Sequence, residues 1–338
     1  MNIMYACDNS FIWLAGISII SLFENNQDIE ELEVYLLGEK VSEENKSELM
    51  SIGNKYDREI KVIDISELDI PSSLVSVRWP LSAFTRLFLG DILPKDINRI
   101  LYLDSDTIIM GSLSEIDNIE FNGNIVMGVK DCISGEYRKN IGLDKNSTYI
   151  NSGVVLFDVA ALRKFIVNEK IDNYLNTYKN YINYPDQDII NGMFNGYIGE
   201  LSPQYNVMTL VTAYQYREIL QLRRPTNFYT EKELAVAVKK PLIIHYATNM
   251  KIVRPWFSNT NHPYKSEFKK YLLMSAWKDK KLSKKIFDSK EERIISLITL
   301  LPHFVSYRIL GVIHAELKPR YIRLKARKKM RLLGQKVQ

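Results

Sequence analysis

A chain of 338 residues is long enough to bury a full hydrophobic core without disulfides or metal clips. Its two cysteines, Cys7 and Cys132, match no zinc or redox spacing, which excludes a disulfide-stapled secreted fold and favours a reduced, cytoplasmic setting. The net charge of +5 is unevenly placed, because nine of the 45 basic residues and no acid lie between Lys318 and Gln338, leaving 36 basic against 40 acidic residues in a mildly acidic body.

The first half of the chain alternates short apolar runs with helical patterns. Apolar runs predict strands at 2–7, 33–38, 59–65 and 99–104, and the intervening patterns predict helices at 11–24, about 42–56 and 81–93. The apolar helix at 11–24 is too short to span a bilayer, so we expect it in the core. Strands that alternate with helices indicate crossover connections and a mostly parallel sheet with both faces covered.

The second half continues this pattern and then changes character. We predict strands at 124–130, 153–159 and 241–246, a long helix at 160–180, and a helix that opens at Pro185.

After about residue 262 the chain becomes Lys-rich and amphipathic, and an apolar segment at 294–313 precedes the basic tail. Pro302, His303 and Arg308 interrupt that segment, so helices lying in a membrane interface fit better than a spanning helix. The sequence therefore predicts an α/β domain at 1–262 and a helical, basic, membrane-associating region at 263–338.

Two acids follow one of the predicted strands. Asp104 ends the apolar run, and Asp106 comes two residues later. Ligands bind at the carboxyl ends of the strands in such sheets, and Asp8 follows the first strand at the same predicted edge. Because side chains at i and i+2 along a strand point together, both carboxylates can reach one hard cation such as Mg²⁺ or Mn²⁺. The alternative is a solvated turn.

The same stretch, LYLDSDT, also fits the motif of the haloacid dehalogenase-like phosphatases, in which the first aspartate is a nucleophile. That motif usually lies on the first strand of its domain, whereas about 100 residues of α/β pattern precede it here. A phosphatase with Asp104 as nucleophile therefore stays as the second hypothesis.

Two further side chains could serve either structure or chemistry. His245 ends the run at 241–246, where it could complete the shell of a metal with a neutral imidazole or be structural. Arg86 lies in the apolar helix at 81–93, where it could be a surface charge or the buried partner of an anion or hydroxyl group.

Polar clusters open one helix and one strand. Asp186, Gln187 and Asp188 lie in the first turn after Pro185, where the helix dipole accounts for the acids but not for the glutamine. Asn151 and Ser152 precede the strand at 153–159 and could form an ordinary turn or line a site.

Together these segments resemble glycosyltransferase family 8, and in particular its bacterial lipopolysaccharide and lipooligosaccharide galactosyl- and glucosyltransferases. The resemblance covers about residues 2–257 and rests on six stretches in the family's order: YACDNSF, SAFTRLFLGDILP, RILYLDSDTIIMGSL, YINSGVVLFDV, YPDQDIINGMF and LIIHYATNMKIVRPW. It implies the A-type glycosyltransferase fold, a single nucleotide-binding, Rossmann-like α/β domain with a mixed, mostly parallel sheet, here followed by the C-terminal helical basic extension. It also implies a retaining, Mn²⁺-dependent hexosyltransferase that uses UDP-galactose or UDP-glucose, with Mg²⁺ as the alternative ion.

The resemblance also assigns residues to roles. Asp104, Asp106 and His245 become the metal ligands. The resemblance implies that the catalytic group consists of Gln187, Asp186, Arg86 and Asp188. The residues that bind the UDP-sugar become Ala6, Asp8, Ser10, Arg78, Asp104, Ser105, Asp106, Asn151, Ser152, Lys251 and Arg254.

Two departures from the family pattern affect these assignments. Many relatives carry two acids and an asparagine after the first strand, whereas this chain has Asp8, Asn9 and Ser10. The segment HYATNMKIVRPW lacks the family glycine and is longer, so Arg254 and Lys251 compete for the role of the pyrophosphate-binding lysine.

The expected partners follow from the resemblance and the tail. We expect a UDP-hexose donor, a lipid-linked saccharide acceptor and an anionic membrane surface, with the enzyme peripherally bound to the cytoplasmic face of the cell membrane. Nucleic-acid binding competes for the tail, but the acidic body and the lack of a nucleic-acid motif argue against it. A self-glucosylating protein like glycogenin and a non-catalytic membrane adaptor are the remaining alternatives.

Overall fold

A seven-stranded sheet forms the centre of the protein, whose computed structural model describes residues 1–66, 68, 74, 81–165 and 167–332. The strand order is β3-β2-β1-β4-β7-β6-β8, and β7 runs antiparallel to both of its neighbours while the other pairs are parallel. This confirms the predicted α/β class and mixed, mostly parallel sheet. The strands are β1 (Asn2–Asp8), β2 (Glu33–Glu39), β3 (Ile60–Asp64), β4 (Arg99–Leu103), β6 (Val126–Lys130), β7 (Ile150–Asp158) and β8 (Ile198–Glu200).

A second, three-stranded sheet was not expected from the sequence. It consists of β5 (Thr107–Ile109), β9 (Val207–Met208) and β10 (Ile243–His245), in the order β5-β10-β9. The run at 241–246 therefore forms a strand as predicted, but in this small sheet and not in the central one. Strands of two or three residues carry too short a pattern to reveal their partners.

Helices cover the central sheet as the crossover pattern predicts. The buried helix α1 (Ile12–Glu24) packs against α2 (Glu43–Tyr56) and against α12 (Lys265–Leu273), and nearly all of its residues are buried. The helices described are α1, α2, α3 (Leu81–Phe84), α4 (Leu89–Ile92), α5 (Gly135–Asn140), α6 (Val159–Lys164), α7 (Val167–Tyr178), α8 (Pro185–Met193), α9 (Thr209–Ala213), α10 (Tyr216–Arg223), α11 (Glu231–Lys239), α12 (Lys265–Leu273), α13 (Lys290–Ile298), α14 (His303–Gly311) and α15 (Lys318–Leu332).

Two predicted helices are broken in the structure. The segment 81–93 forms α3, a 3₁₀ turn at Thr85–Leu87 and α4, because the Thr85 hydroxyl donates to the Ser82 carbonyl and competes with regular helical bonding. The segment 160–180 forms α6 and α7, which are separated near Phe165, a residue with extended backbone.

The C-terminal region is helical, as expected, and it packs on the α/β body. The π-helical turn Val312–Leu317 joins α14 to α15; α14 contacts α10, α15 contacts α5, and the turn contacts both α5 and α10. The boundary between residues 262 and 263 stays a prediction, although Phe268 and Tyr271 beyond it are buried in the main core. Within the part of the chain that the structure describes, no helix is long and apolar enough to cross a membrane.

Candidate active site

Strand pairing brings Asp104, Asp106 and His245 together. Strand β4 ends at Leu103, so the two acids lie in the turn before β5 and not on the strand. Strand β5 pairs with β10 so that His245 lies opposite Thr107, and the Tyr246 N–H donates to the Asp106 carbonyl at 2.9 Å. The His245 Nε2 atom lies 3.2 Å from Asp106 Oδ1 and 3.8 Å from Asp104 Oδ2. The carboxylates converge because of this turn and this pairing, whereas our sequence prediction relied on alternation along a strand.

The donor set of this cluster suits a hard divalent ion. One ligand atom from each of the three residues lies within 4.8 Å of the others, and two carboxylates with one imidazole suit Mn²⁺ or Mg²⁺. Gly153 leaves the necessary room, because a Cβ atom there would lie 2.7 Å from Asp104 Oδ2. The residues present therefore fit the expected metal ion.

A hydrogen-bonded amide fixes the tautomer of His245. Its Nδ1 atom lies 3.0 Å from Asn206 Oδ1, and Asn206 in turn donates through Nδ2 to Asn151 Oδ1 at 2.9 Å. Because Asn206 Oδ1 only accepts, His245 carries its proton on Nδ1 when neutral, and the Nε2 lone pair faces the two acids. This is the orientation that a metal-binding histidine requires.

Electrostatics at the cluster favour bound positive charge. Burial raises the pKa of Asp104, which lies farther from His245 than Asp106 does. Burial acts in the same direction on Asp106, but His245 and Arg254 outweigh it and hold the pKa of Asp106 below its ordinary value. Burial would lower the pKa of His245, yet Asp106 and Asp104 raise it overall. The cluster therefore attracts a cation.

Arg86 is buried and connects the two acidic parts of the site. Its Nη2 atom donates to Asp104 Oδ1 at 3.1 Å, and Nη1 lies 2.6 Å from the Ser152 carbonyl and 3.4 Å from Asp186 Oδ2. The guanidinium also lies over the Tyr102 ring, 3.9 Å from its centroid. Burial would lower the pKa of Arg86, but Tyr102, Asp104 and Asp186 raise it, so the residue stays charged. The alternative of a surface charge is excluded.

Gln187 is held by a network that includes an acid missed in the sequence analysis. Gln187 Nε2 donates to Asp131 Oδ2 at 2.9 Å, and its Oε1 accepts from Asn151 Nδ2 at 2.9 Å and from the Ser152 N–H at 3.2 Å. Asp131 follows directly after β6, just as Asp8 and Asp104 lie at strand ends. An acid at the carboxyl end of a predicted strand was the signal that could have identified it.

Asp188 lies beneath the site and does not line it. Its carboxylate is fully buried and accepts from the hydroxyls of Tyr137 (2.5 Å) and Tyr149 (2.7 Å) and from the N–H groups of Asn183 and Tyr184. The Tyr149 hydroxyl also accepts from Gln187 Nε2 at 3.0 Å. Asp188, expected in the catalytic group, thus lies where it can position Gln187 and not where it can touch a substrate.

We expect Asp188 to make stability depend on pH. Burial raises the pKa of Asp188 from 3.8 to about 6, although four hydrogen bonds oppose the rise. The folded state therefore holds the proton more tightly than the unfolded chain, so this group's contribution is most favourable below pH ~4 and is lost as the pH rises through ~6. A shift of this size corresponds to about 3 kcal/mol.

The measurement is denaturant unfolding of the wild type and of Asp188→Asn between pH 4 and pH 7. The difference in free energy of unfolding between the two proteins should change by about 3 kcal/mol over that range. Asp144→Asn, at an exposed position, is the control for the loss of one carboxylate, and its difference from the wild type should not change in this way with pH. A difference that is constant with pH would contradict the assignment.

A cleft with two lobes surrounds these side chains. The smaller lobe, about 250 Å³, is lined by Ala6, Asp8 and Ser105 among others, and the larger, about 400 Å³, by Asp131, Gln187 and His245 among others. Both lobes share a wall, which consists of Ala83, Arg86, Asp104 and Asp106. The predicted residues Asn151, Ser152 and Asp186 line the larger lobe.

The remaining predicted residues have different positions. Ser10 donates its N–H and hydroxyl to Asp8 Oδ1, at 2.7 and 2.5 Å, so it orients Asp8. Arg78 lies outside the described residues. Arg254 places Nη1 3.8 Å from Asp106 Oδ2 and packs on Trp256, whereas Lys251 directs Nζ towards the Ser296 carbonyl of α13 at 3.4 Å. Of the two competing cations, geometry favours Arg254 for a contact with a ligand at the acids.

Comparison with known proteins gives consistent results. A sequence model of the family "Glycosyl transferase family 8" matches residues 2–260. General stress protein A of Bacillus subtilis is 24% identical over 280 residues, which are 82% of this chain and 94% of that protein. Lipopolysaccharide 1,2-glucosyltransferase of Escherichia coli K12 is 26% identical over 317 residues, 92% of this chain and 89% of that protein.

Among solved structures, the galactosyltransferase LgtC in complex with donor and acceptor sugar analogs has a similar fold. Its TM-score is 0.68 at 20% sequence identity, over 87% of this chain and 99% of that one. The A-type glycosyltransferase fold expected from the sequence is therefore confirmed.

Proposed function

The chain belongs to glycosyl transferase family 8, and we propose that it transfers galactose or glucose from UDP to a hydroxyl group of a saccharide acceptor, with retention of the anomeric configuration. The observation that carries this proposal is the cluster of Asp104, Asp106 and His245, in which the two acids lie in the wall between the lobes of the cleft and His245 lines the larger lobe. The smaller lobe would hold uridine near Ala6 and Asp8, and the larger would hold the hexose and the acceptor. The diphosphate would then lie at the wall between them.

The residues at and beside that wall match the charge of a diphosphate. Asp104, Asp106 and His245 would hold Mn²⁺, or Mg²⁺, and the ion would neutralise negative charge that develops on UDP as it leaves. Arg254, beside Asp106, would donate hydrogen bonds to the same phosphates. Asp8, oriented by Ser10, would accept a hydrogen bond from the uracil ring.

Retention requires either a protein nucleophile or attack on the same face that the leaving group vacates. Gln187 is a poor nucleophile because its amide is neutral and both of its polar atoms are engaged by Asp131, Asn151 and Ser152. We therefore favour same-face attack, in which the C1–phosphate bond breaks as the C1–acceptor bond forms. The departing β-phosphate takes the proton of the acceptor hydroxyl. Gln187 and Asp186 would position the sugar, and Arg86 would keep Asp186 in place.

The test is a panel of UDP-sugars incubated with the protein and Mn²⁺, with release of UDP as the readout. We expect UDP-galactose or UDP-glucose to be hydrolysed slowly without acceptor, and hydrolysis to stop with a chelator. Phosphate release from a monoester without any UDP-sugar would instead support the phosphatase hypothesis. A mass increase of the protein by whole hexoses would support self-glycosylation. Failure to turn over any UDP-sugar would contradict the proposal.

The acceptor is proposed to be lipid-linked or of the lipopolysaccharide type. The name of the relative from Escherichia coli K12 points to lipopolysaccharide, and a surface of the C-terminal region supports the same idea. Leu317, at the end of the π-helical turn, and Tyr321, Leu324 and Leu332 of α15 are successively four, three and eight residues apart, and all are more than half exposed. Residues at these spacings share one helical face.

Positive charge flanks that apolar face, and the opposite face packs on the protein. Arg323 and Arg320 pair with Glu136, while Ala326 and Met330 are buried against the domain. Lys318 pairs with Glu291, and Lys329 donates to Asn180. The other basic residues of α15 are exposed and form no ion pair in the described part of the chain: Lys325, Arg327, Lys328 and Arg331. An exposed apolar stripe flanked by cations suits an anionic membrane surface on the cytoplasmic side.

Reversing three of these charges should release the protein from membranes. Each basic residue near an anionic leaflet contributes about 1 kcal/mol, so Lys325→Glu/Arg327→Glu/Lys328→Glu should weaken binding to phosphatidylserine vesicles by about 100-fold or more. The measurement is cosedimentation with vesicles at physiological salt.

A matched triple variant provides the control. Lys232, Lys239 and Lys240 are exposed on and after α11, and their reversal to glutamate should leave vesicle binding unchanged. Equal loss in both triple variants would indicate a bulk charge effect and would contradict docking through α15. If the wild type bound duplex DNA, the surface of α15 would be a nucleic-acid site instead. If the charge reversal on α15 disrupted a dimer, the surface would be an interface between two copies of the chain.

A further inference from the structure

Arg223, the last residue of α10, lines the larger lobe of the cleft and has no acidic partner there. Arg86, which also lines this lobe, lies beside Asp104 and Asp186, and Arg254, near the metal cluster, lies beside Asp106. The neighbouring Arg224 also has an acidic partner, Glu316. In the part of the chain that the structure describes, Arg223 forms no ion pair with a carboxylate, so its charge is not neutralised within the protein.

The C-terminal region holds this arginine in place without neutralising it. Arg223 Nη1 lies 2.9 Å from His314 Nε2, which belongs to the π-helical turn before α15. Burial, together with the charges of Arg223 and Lys318, lowers the pKa of His314 to about 3, so His314 is neutral and accepts through Nε2. Nη2 of Arg223 forms no hydrogen bond among the described residues, and the buried Nε forms none either. The guanidinium is therefore positioned but left with free donor capacity.

A partly buried cation without a counter-ion is costly unless a ligand supplies the opposite charge. A guanidinium presents parallel N–H donors that match two oxygens of a phosphate or carboxylate group. Arg223 lines the larger lobe together with Ile133 and Tyr184, and it does not appear in the wall shared with the smaller lobe. It is thus separate from the residues proposed to hold the diphosphate.

We propose that Arg223 binds an anionic group, a phosphate or a carboxylate, carried by the acceptor saccharide. This inference rests on the proposed function, because it assigns the larger lobe to the acceptor. The enzyme would then select acceptors that bear a negative charge near the hydroxyl group that is glycosylated. His314 is a positioning residue in this scheme, since it orients the guanidinium and touches no substrate.

The test compares charged and neutral hexoses on the same protein. Galactose 6-phosphate, galacturonate and galactose are titrated into the full chain saturated with UDP and Mg²⁺, which fills the nucleotide site, and binding is followed by saturation-transfer NMR. We expect at least one of the anionic hexoses to bind about tenfold or more tightly than galactose. In Arg223→Met this preference should fall to within about twofold. Arg223→Lys should retain part of it, because lysine keeps the positive charge but lacks the two parallel N–H donors of the guanidinium.

Controls distinguish this result from other sources of affinity. Arg217 lies exposed on the same helix and away from the cleft, so Arg217→Met should keep the wild-type preference. Inorganic phosphate that competes as well as galactose 6-phosphate would show a site for free phosphate and would overturn the proposal. So would equal binding of charged and neutral hexoses, or a preference that survives in Arg223→Met. Hydrolysis of the UDP-sugar panel is measured separately, so failure of the proposed function is recognised independently.

Discussion

Replacing Asp106 by asparagine is expected to lower kcat/KM for sugar transfer by about 1000-fold. The substitution removes one negative ligand from the cluster with Asp104 and His245 while preserving size. Metal-assisted charge stabilisation is worth several kcal/mol, and about 4 kcal/mol corresponds to this factor. It also removes the charge beside Arg254, whose Nη1 lies 3.8 Å from Asp106 Oδ2.

Asp106 is a cleaner choice than Asp104 for this experiment. Asp104 also accepts hydrogen bonds from Arg86 and from the Tyr102 hydroxyl, so Asp104→Ala should lose both activity and stability. The measurements are the rate of UDP release at saturating Mn²⁺ and the affinity for UDP by calorimetry.

A matched acid controls for the loss of charge at the sheet edge. Asp64 ends β3 in the same sheet, is exposed, and does not line the cleft. Asp64→Asn should retain wild-type activity. If Asp106→Asn kept a rate near that of the wild type, the assignment of a metal ligand to Asp106 would be wrong.

Removal of Arg86 is the second change with a large expected effect. Arg86→Met would leave Asp104 and Asp186 partly buried without their cation and would free the Ser152 carbonyl. Breaking a buried ion pair by removing one partner costs about 3–5 kcal/mol, so the free energy of unfolding should fall by about that amount. Sugar transfer should fall as well, because Asp186 and Ser152 lose their fixed positions.

Arg86→Lys separates charge from geometry. A lysine restores the cation but cannot bridge two acids and a carbonyl at once, so stability should recover in part while activity stays low. The half-buried Arg163 donates to several backbone carbonyls and does not line the cleft, so Arg163→Met is the control for loss of an arginine with many hydrogen bonds away from the site. Equal recovery of activity and stability in Arg86→Lys would show that only the charge matters.

Long, regular patterns made much of this architecture predictable. Strands β1, β2, β3 and β4 were predicted to within about two residues, because each is a short apolar run bounded by polar or turn residues. The opening of α8 at Pro185 was also predicted, since proline is favoured at the first helical position.

The geometry of the site was harder to predict because it depends on tertiary pairing. Asp104, Asp106 and His245 were proposed together, but the pairing of β5 with β10 that brings them close involves strands of only three residues. The family resemblance supplied this grouping, whereas local pattern alone left His245 open. The choice between Arg254 and Lys251 depended on a loop whose path no periodicity encodes.

Asp131 and Arg223 were missed for different reasons. Asp131 carried a signal, its position after a strand, that was used for Asp104 but not applied to it. Arg223 carried none, because its role depends on the absence of an acidic partner and on contact with His314, 91 residues away. Such features become visible only when distant segments are placed together.

Calorimetric titration of UDP into the wild-type protein, with Mn²⁺ and with a chelator, tests the central claim most directly. If Asp104, Asp106 and His245 bind the nucleotide through a shared ion, UDP should bind at one site per chain with Mn²⁺, and the affinity should fall at least tenfold without it. Equal affinity under the two conditions, or no binding of UDP at all, would contradict the account.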